Sequence, residues 1–289
     1  MGSSEIPAQS LTHPESAPAD SILQPTQAMA SNSNHLHRCS DQIFCPPVAE
    51  GPIGSATEAK YAGAFNYRAM NFPASENSTH PLTNDACNVL FREARTHNAW
   101  LDRLIEDDLL HQLYDLMKWG PTSANCCPSR IVFLRTKQAK ERLRPALMPT
   151  NVEKTMQAPV TAIIAYDSKF YEQLPRLFPA VPAMKEMFVK SADLAASTAL
   201  RNGSLQGAYF MLAARSLGLD CGPMSGFDND KVDQEFFPAS APVVVAKAGG
   251  FVAAGAIKSN FLCNLGYGDA AKLHPRGPRF EFQEACQML

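Results

Sequence analysis

Trp119-Gly-Pro-Thr-Ser-Ala-Asn-Cys-Cys-Pro-Ser-Arg130 joins two segments of different periodicity, and that junction sets the fold class. Before it, Leu109, Leu110, Leu113, Leu116 and Met117 recur at helical spacing, so residues 105–118 are expected to form an amphipathic helix with one buried face. After it, Ile131-Val-Phe-Leu134 is a short apolar, partly β-branched run, followed by Arg135 and Lys137, which reads as a strand. Gly120 and Pro121 stop the helix, and Thr122, Ser123 and Asn125 set two hydroxyls and an amide beside unpaired backbone groups. Two readings stand: a cradle for a polar, planar ligand, or a capped helix end with a solvated loop.

Further downstream, residues 137–147 read as a charged helix. Val160-Thr-Ala-Ile-Ile-Ala-Tyr166, ending at Asp167, is uninterrupted enough for the middle of a sheet. Residues 168–190 carry aromatic and Met side chains between prolines, either covering a pocket or packing onto the core. Residues 193–217 form the longest expected helix, with Leu194, Thr198, Leu205, Ala208, Tyr209, Leu212, Ala213 and Leu217 as its buried stripe. Gly218 is its C′ residue. Gly222-Pro-Met-Ser-Gly226 reads as a loop whose glycines admit a flat ligand close to the backbone, or as a tight turn. Asp228 should cap a short helix reaching about Phe236, and residues 259–266 form a further strand. Upstream, a helix opens near Asn84 and Asp85. Arg95-Thr-His-Asn98, at an apparent helix end, groups a guanidinium, hydroxyl, imidazole and amide, either as an anion site or as a solvated terminus.

The 289 residues are 45% hydrophobic with a formal charge of -2, enough for a full core and without the basic excess that nucleic-acid binding needs. The longest apolar runs, such as 158–166, fall short of a bilayer, so no membrane partner is expected. The eight cysteines show no Cys-x-x-Cys pairing; neither a metal site nor a disulfide framework is indicated, and a reducing, cytoplasmic location is expected. Residues 1–84 differ: they hold 9 of the 22 prolines and only Arg38, Lys60 and Arg68 as basic residues, a composition expected to be disordered. With no Lys or Arg before Arg38, a secretory or mitochondrial leader is not expected.

The assembled pieces resemble the FMN-dependent nitroreductases. That family has an early Arg motif, a Pro-Ser-x-x-Asn turn, a Gly-rich loop after a long helix and a late Gly-Tyr strand followed by basic residues. Here these stand as Arg95-Thr-His-Asn98, Pro121-Thr-Ser-Ala-Asn125, residues 218–226, and Gly266-Tyr267 with Arg279. Ala-Arg-Thr-His-Asn, Lys-Trp-Gly-Pro-Thr-Ser-Ala-Asn and Gly-Pro-Met-Ser-Gly-Phe-Asp look like the malonic semialdehyde reductase branch, associated with pyrimidine breakdown. The resemblance covers residues 85–289. Two departures are an apparent insertion at about 238–256 before what reads as an edge strand, and Cys127 where many relatives outside this branch carry Gln.

The resemblance implies an α+β fold, a small mixed or antiparallel sheet flanked by helices, in an intertwined homodimer with FMN at the interface. Arg95 and Arg279 would bind the phosphate with His97 and Asn98 close by, Lys272 and Arg276 being alternatives to Arg279. Pro121, Thr122, Ser123 and Asn125 would meet ribityl and ring from one protomer; Pro223, Met224, Ser225 and Gly226 would lie along the flavin on the other. NADH or NADPH would be the hydride donor, and flavin N5 carries the hydride, so no catalytic side chain is obligatory. Arg130 or Arg201 could meet an acceptor carboxylate. The implied reaction is reduction of malonic semialdehyde to 3-hydroxypropanoate. Broad nitroarene or quinone reduction, or flavin binding without turnover, are the competing readings.

Deleting residues 1–80 is expected to leave the melting temperature and activity nearly unchanged, because that composition buries too little surface to contribute. Thermal unfolding of the truncated protein checks this, and loss of folding would mean that the segment docks.

Overall fold

The structure, a computed structural model, describes residues 81–238 and 256–289. The expectations of a disordered extension and of an apolar insertion fall almost wholly outside the described residues. The chain opens with α1 (Asn84–Cys87), which continues as a π-helical turn over Asn88–Arg92. Its cap is Thr83, whose hydroxyl accepts from Ala86 N, rather than Asn84 or Asp85. The helix ends before the Arg95 motif, which is extended: Thr96 bridges to Cys221 and Trp100 to Gly268.

Then follow α2 (Asp107–Met117), β1 (Ser129–Leu134), α3 (Lys137–Leu143), α4 (Pro149–Gln157) and β2 (Val160–Asp167). The expected charged helix at 137–147 is therefore shorter, ending in a 3-10 turn over Arg144–Ala146. Helix α4, which the reading of the sequence left out, begins with Pro at its first position, where a missing N–H costs nothing. Residues 168–190 become short helical pieces, including α5 (Leu174–Leu177) and α6 (Met184–Val189), and α7 (Ala192–Ser216), β3 (Asp220–Met224), α8 (Asn229–Phe236), β4 (Ile257–Gly266) and α9 (Phe282–Ala285) complete the order. The expected Gly-Pro-Met-Ser-Gly loop is thus mostly strand β3. Asp228 does cap α8, accepting from Lys231 N.

Among the described residues the strands form one antiparallel sheet ordered β1-β2-β4-β3. Strand β4 is interior, correcting its reading as an edge. Alternation in β2 feeds two cores. Val160, Ala162 and Ile164 pack with Leu110, Leu113 and Met117 of α2 and Phe210, Ala213 and Ala214 of α7. Ile163 and Ala165 pack with Leu143, Leu147 and Val232 on the opposite face.

Helix α7 buries Thr198 and Ala213 of the expected stripe but turns its large members outward. Ala195, Ala199, Asn202, Gly203, Gln206, Gly207 and Phe210 are buried, while Leu194, Leu205 and Tyr209 are 38%, 46% and 38% exposed. Small residues let α7 settle on the sheet: a Cβ at Gly207 would come within 2.6 Å of the Phe261 ring, and one at Gly203 within 2.9 Å of Tyr166. Larger side chains on that face would hold the helix away, so the leucines turn outward.

Buried polar groups pair across layers. Lys140 donates to the carbonyls of Met156 and Ala158 at the C-terminal end of α4, and burial lowers its pKa. Thr161 Oγ1 donates to Asn264 Oδ1 at 2.7 Å, and Asn264 Nδ2 donates to Lys154 O at 3.3 Å. Asn264→Ala is expected to cost about 1–3 kcal/mol, because the buried Thr161 hydroxyl loses its acceptor while Lys154 O keeps Trp100 Nε1 and Ala158 N. A denaturant titration checks it; an unchanged midpoint would show that water replaces the amide.

Candidate functional site

Two adjoining recesses lie between the Arg95 segment and the chain after β4. The first, about 430 Å³, is lined by Arg95, Asn98, Arg215, His274, Arg276 and Arg279 among others. Among the described residues no carboxylate lines it. Its guanidiniums rest on backbone oxygens: Arg95 donates to His274 O, Arg276 to the carbonyls of Arg92 and Ala94 at 2.7 and 3.0 Å, and Arg279 to those of Gly277 and Pro278. Such contacts aim planar donors without neutralising them, so the recess suits an anion of more than one charge, a phosphomonoester above all. The second recess, about 390 Å³, shares Asn98 and His274 and adds Lys154, Lys272, Thr150, Glu153 and Gln157. Burial lowers the pKa of Lys154, and Gln157 donates to Glu153 at 3.0 Å.

Of the expected phosphate residues, Arg95, Asn98 and Arg279 therefore come together. Arg276 joins them, and Lys272 lies in the neighbouring recess. His97 is 6% exposed and lines neither recess. Arg215, His274 and Lys154 were missed by sequence reasoning. Arg215 reads as an ordinary C-terminal charge on α7, and Lys154 lies on the helix that was not anticipated. Pro149-Thr-Asn was the available signal for that helix.

The turn after α2 is a separate region. Ala124, Asn125 and Cys127 have φ of 51°, 48° and 39°, left-handed values that cost L-residues of order 1–3 kcal/mol each unless surroundings impose them. Buried amides on α7 impose them: Ser123 N donates to Asn202 Oδ1 and Ser129 N to Gln206 Oε1, both at 2.8 Å. Cys127 N donates to Thr122 Oγ1, and Asn125 Nδ2 donates to Leu177 O. Pro121, Ser123 and Asn125 stay exposed. Cys126 is buried, and burial pushes its thiol up to about 11.

Arg130 braces the same turn. Its Nη1 donates to the carbonyls of Cys127, Pro128 and Ser129, and its Nη2 pairs with Asp167 at 2.8 Å. Arg201 is exposed on α7, next to Asn202, and has no described partner.

Pro223 and Met224 belong to edge strand β3, with Met224 buried against Thr155. Ser225 and Gly226 follow, and Gly226 O accepts from Met148 N and Asn151 Nδ2 at 3.1 and 2.7 Å. Gly222 serves chain packing rather than a ligand, since a Cβ there would stand 2.5 Å from His97 O. Residues 121–125 and 223–226 line neither recess.

A model of the nitroreductase family matches residues 92–246. A Cupriavidus pinatubonensis protein named NADH dehydrogenase/NAD(P)H nitroreductase is 53% identical over 208 residues, 71% of this chain and 98% of its own. A Ralstonia nicotianae protein of the same name is 54% identical over 200 residues, 69% and 94%. The solved structure of a nitroreductase in complex with FMN from Exiguobacterium sibiricum shares the fold at 17% identity with a TM-score of 0.61, covering 73% of this chain and 100% of that one.

Proposed function

The chain belongs to the nitroreductase family, and on that premise we propose an FMN-dependent NAD(P)H oxidoreductase that reduces malonic semialdehyde to 3-hydroxypropanoate. The observation that carries the cofactor is the carboxylate-free recess of Arg95, Arg215, Arg276 and Arg279. Its donors fit a phosphomonoester, and the adjoining polar recess leaves room for more of the same molecule. Arg95, Arg276 and Arg279 would hold the phosphate, with Lys154 offering a cation to a ring carbonyl oxygen. When bound, FMN supplies hydride transfer from NADH or NADPH to the acceptor.

Both relatives carry NAD(P)H nitroreductase in their names. The acceptor rests on the motif wording of residues 94–98, 118–125 and 222–228, which resembles the malonic semialdehyde reductase branch. A nitroarene or quinone acceptor is the second reading, favoured by those names.

A homodimer completes the site in this reading. The turn residues Pro121, Thr122, Ser123 and Asn125 lie against α7, away from the recesses, and α7 turns Leu194, Leu200, Leu205 and Tyr209 outward. A second copy would cover that apolar face and bring its turn to the cofactor of the first. At the acceptor, a turn hydroxyl or backbone N–H would donate to the developing alkoxide oxygen. Arg130 is already paired with Asp167, so Arg201 is the cation assigned to the acceptor carboxylate.

Purified protein is expected to be yellow and to release FMN rather than FAD on denaturation. Arg95→Ala should weaken FMN binding by about 1.5–3 kcal/mol, one lost charge-assisted bond. Fluorescence titration reads both, and protein that stays colourless with excess FMN would sink the proposal.

For the acceptor, kcat/KM for malonic semialdehyde should exceed that for a neutral aldehyde of similar size by roughly ten- to a hundred-fold. Arg201→Ala should remove the preference while leaving FMN affinity intact. Equal rates on both aldehydes with faster nitroarene or quinone turnover would favour the second reading.

A further inference from the structure

We propose that His97 and Asp220 are a positioning pair that sets the shape of the cofactor cleft, and that His97 itself makes no cofactor contact; this rests on the FMN reading above. Residues 95–98 bring Arg95, Thr96 and Asn98 to the arginine recess, while the chain after β4 brings Lys272, His274, Arg276 and Arg279 to the paired recesses. These two segments have no covalent reason to stay in register. They meet, together with the start of β3, at the His97 ring.

The Asp220 carboxylate holds both. Its Oδ1 lies 3.3 Å from His97 Nε2, and its Oδ2 accepts from Gly268 N at 2.8 Å. The other ring nitrogen, Nδ1, is buried without a described partner and faces Gly268, where a Cβ would collide with the imidazole. Nε2 is thus taken by Asp220, and Nδ1, though unpartnered, is buried against Gly268 rather than in either recess. Backbone bonds complete the junction: His97 N donates to Cys221 O at 3.0 Å, Leu101 N to Tyr267 O at 2.8 Å, and Asp269 N to Ala99 O at 3.0 Å.

With its proton on Nε2, His97 gives Asp220 a directional donor, so one carboxylate fixes a side chain and a backbone N–H on two different segments. An apolar residue of similar size would fill the space without fixing the register. The pair then governs how far Arg95 stands from Arg276 and Arg279.

The test compares wild type, Asp220→Asn, His97→Ala, His97→Gln and the double variant H97A/D220N. FMN affinity of the apoprotein is read by flavin fluorescence, and melting temperature is read with and without inorganic phosphate. Asp220→Asn and His97→Ala should each weaken FMN binding roughly tenfold, and the double variant should be no worse than the weaker single, as for two ends of one interaction. His97→Gln, whose amide can still donate toward Oδ1, should recover most of the affinity.

Wild-type affinity in Asp220→Asn with no rescue by His97→Gln would make His97 a direct ligand and overturn the proposal. A lower melting temperature with unchanged FMN affinity would overturn it as well, leaving only a fold contact. The Asp220 side chain is 41% exposed, so Asp220→Asn carries the comparison even if His97→Ala does not fold. Wild-type protein that gains stability from phosphate but does not bind FMN would defeat the cofactor reading alone; the pair then stands or falls on whether Asp220→Asn loses the phosphate shift.

Discussion

The close seating of α7 on the sheet is the constraint from which the rest follows. Gly203 and Gly207 leave room for the rings of Tyr166 and Phe261, and Ala199 and Ala214 are wholly buried beside them. Backbone at that distance places the amides of Asn202 and Gln206 within reach of the turn after α2, and it delivers Arg215, at the far end of the same helix, to the arginine recess. It also leaves Leu200 and Leu205 46% exposed, and Tyr209, whose ring packs on Gly120, 38% exposed. One packing decision thus shapes the turn, one wall of the anion recess and an apolar outer face.

The recess shows how like charges are kept together. Four guanidiniums would repel one another even where Arg276 and Arg279 are exposed, yet each of them rests on carbonyl oxygen that supplies partial negative charge without neutralising it. An anion entering there gains several charge-assisted bonds at once and relieves the repulsion. Lys154 adds a cation whose burial already disfavours its charged form, so a nearby electron-rich atom would strengthen it. Lys140 has the opposite circumstance: two carbonyls at the end of α4 accept from it, and its role is to hold that helix.

Strain at the turn is similarly supported from outside. Ala124, Asn125 and Cys127 would relax from left-handed backbone if free, and the α7 amides, Thr122 and the Arg130–Asp167 pair prevent it. Arg130 looked in the sequence like a cation available to a ligand. Its three bonds to successive carbonyls brace the turn, and it also lines a recess of about 810 Å³ with Tyr114, Asp167 and Arg176.

Local pattern was enough for the α+β class, for β1 and β2, for the length of α7, its Gly218 terminus and the Asp228 cap, since each depends on neighbours within a few residues. The family resemblance, not local pattern, grouped Arg95, Asn98 and Arg279, and the structure lines one recess with them. What local pattern misread depends on distant partners. The buried face of α7 follows from how closely a helix can approach a sheet, which favours glycine and alanine over the leucines that periodicity selects. Gly222 to Met224 became part of an edge strand because β4 offered a ladder and the His97 backbone needed a glycine to lie against. Arg215 and Lys154 were invisible as site residues because nothing in a linear pattern says which helix ends converge. The sequence by itself determined where most elements lie, α4 and β3 excepted; which face of each is buried, and which charges share a recess, was decided only by tertiary packing, because those are relations between residues up to about 180 positions apart in the chain.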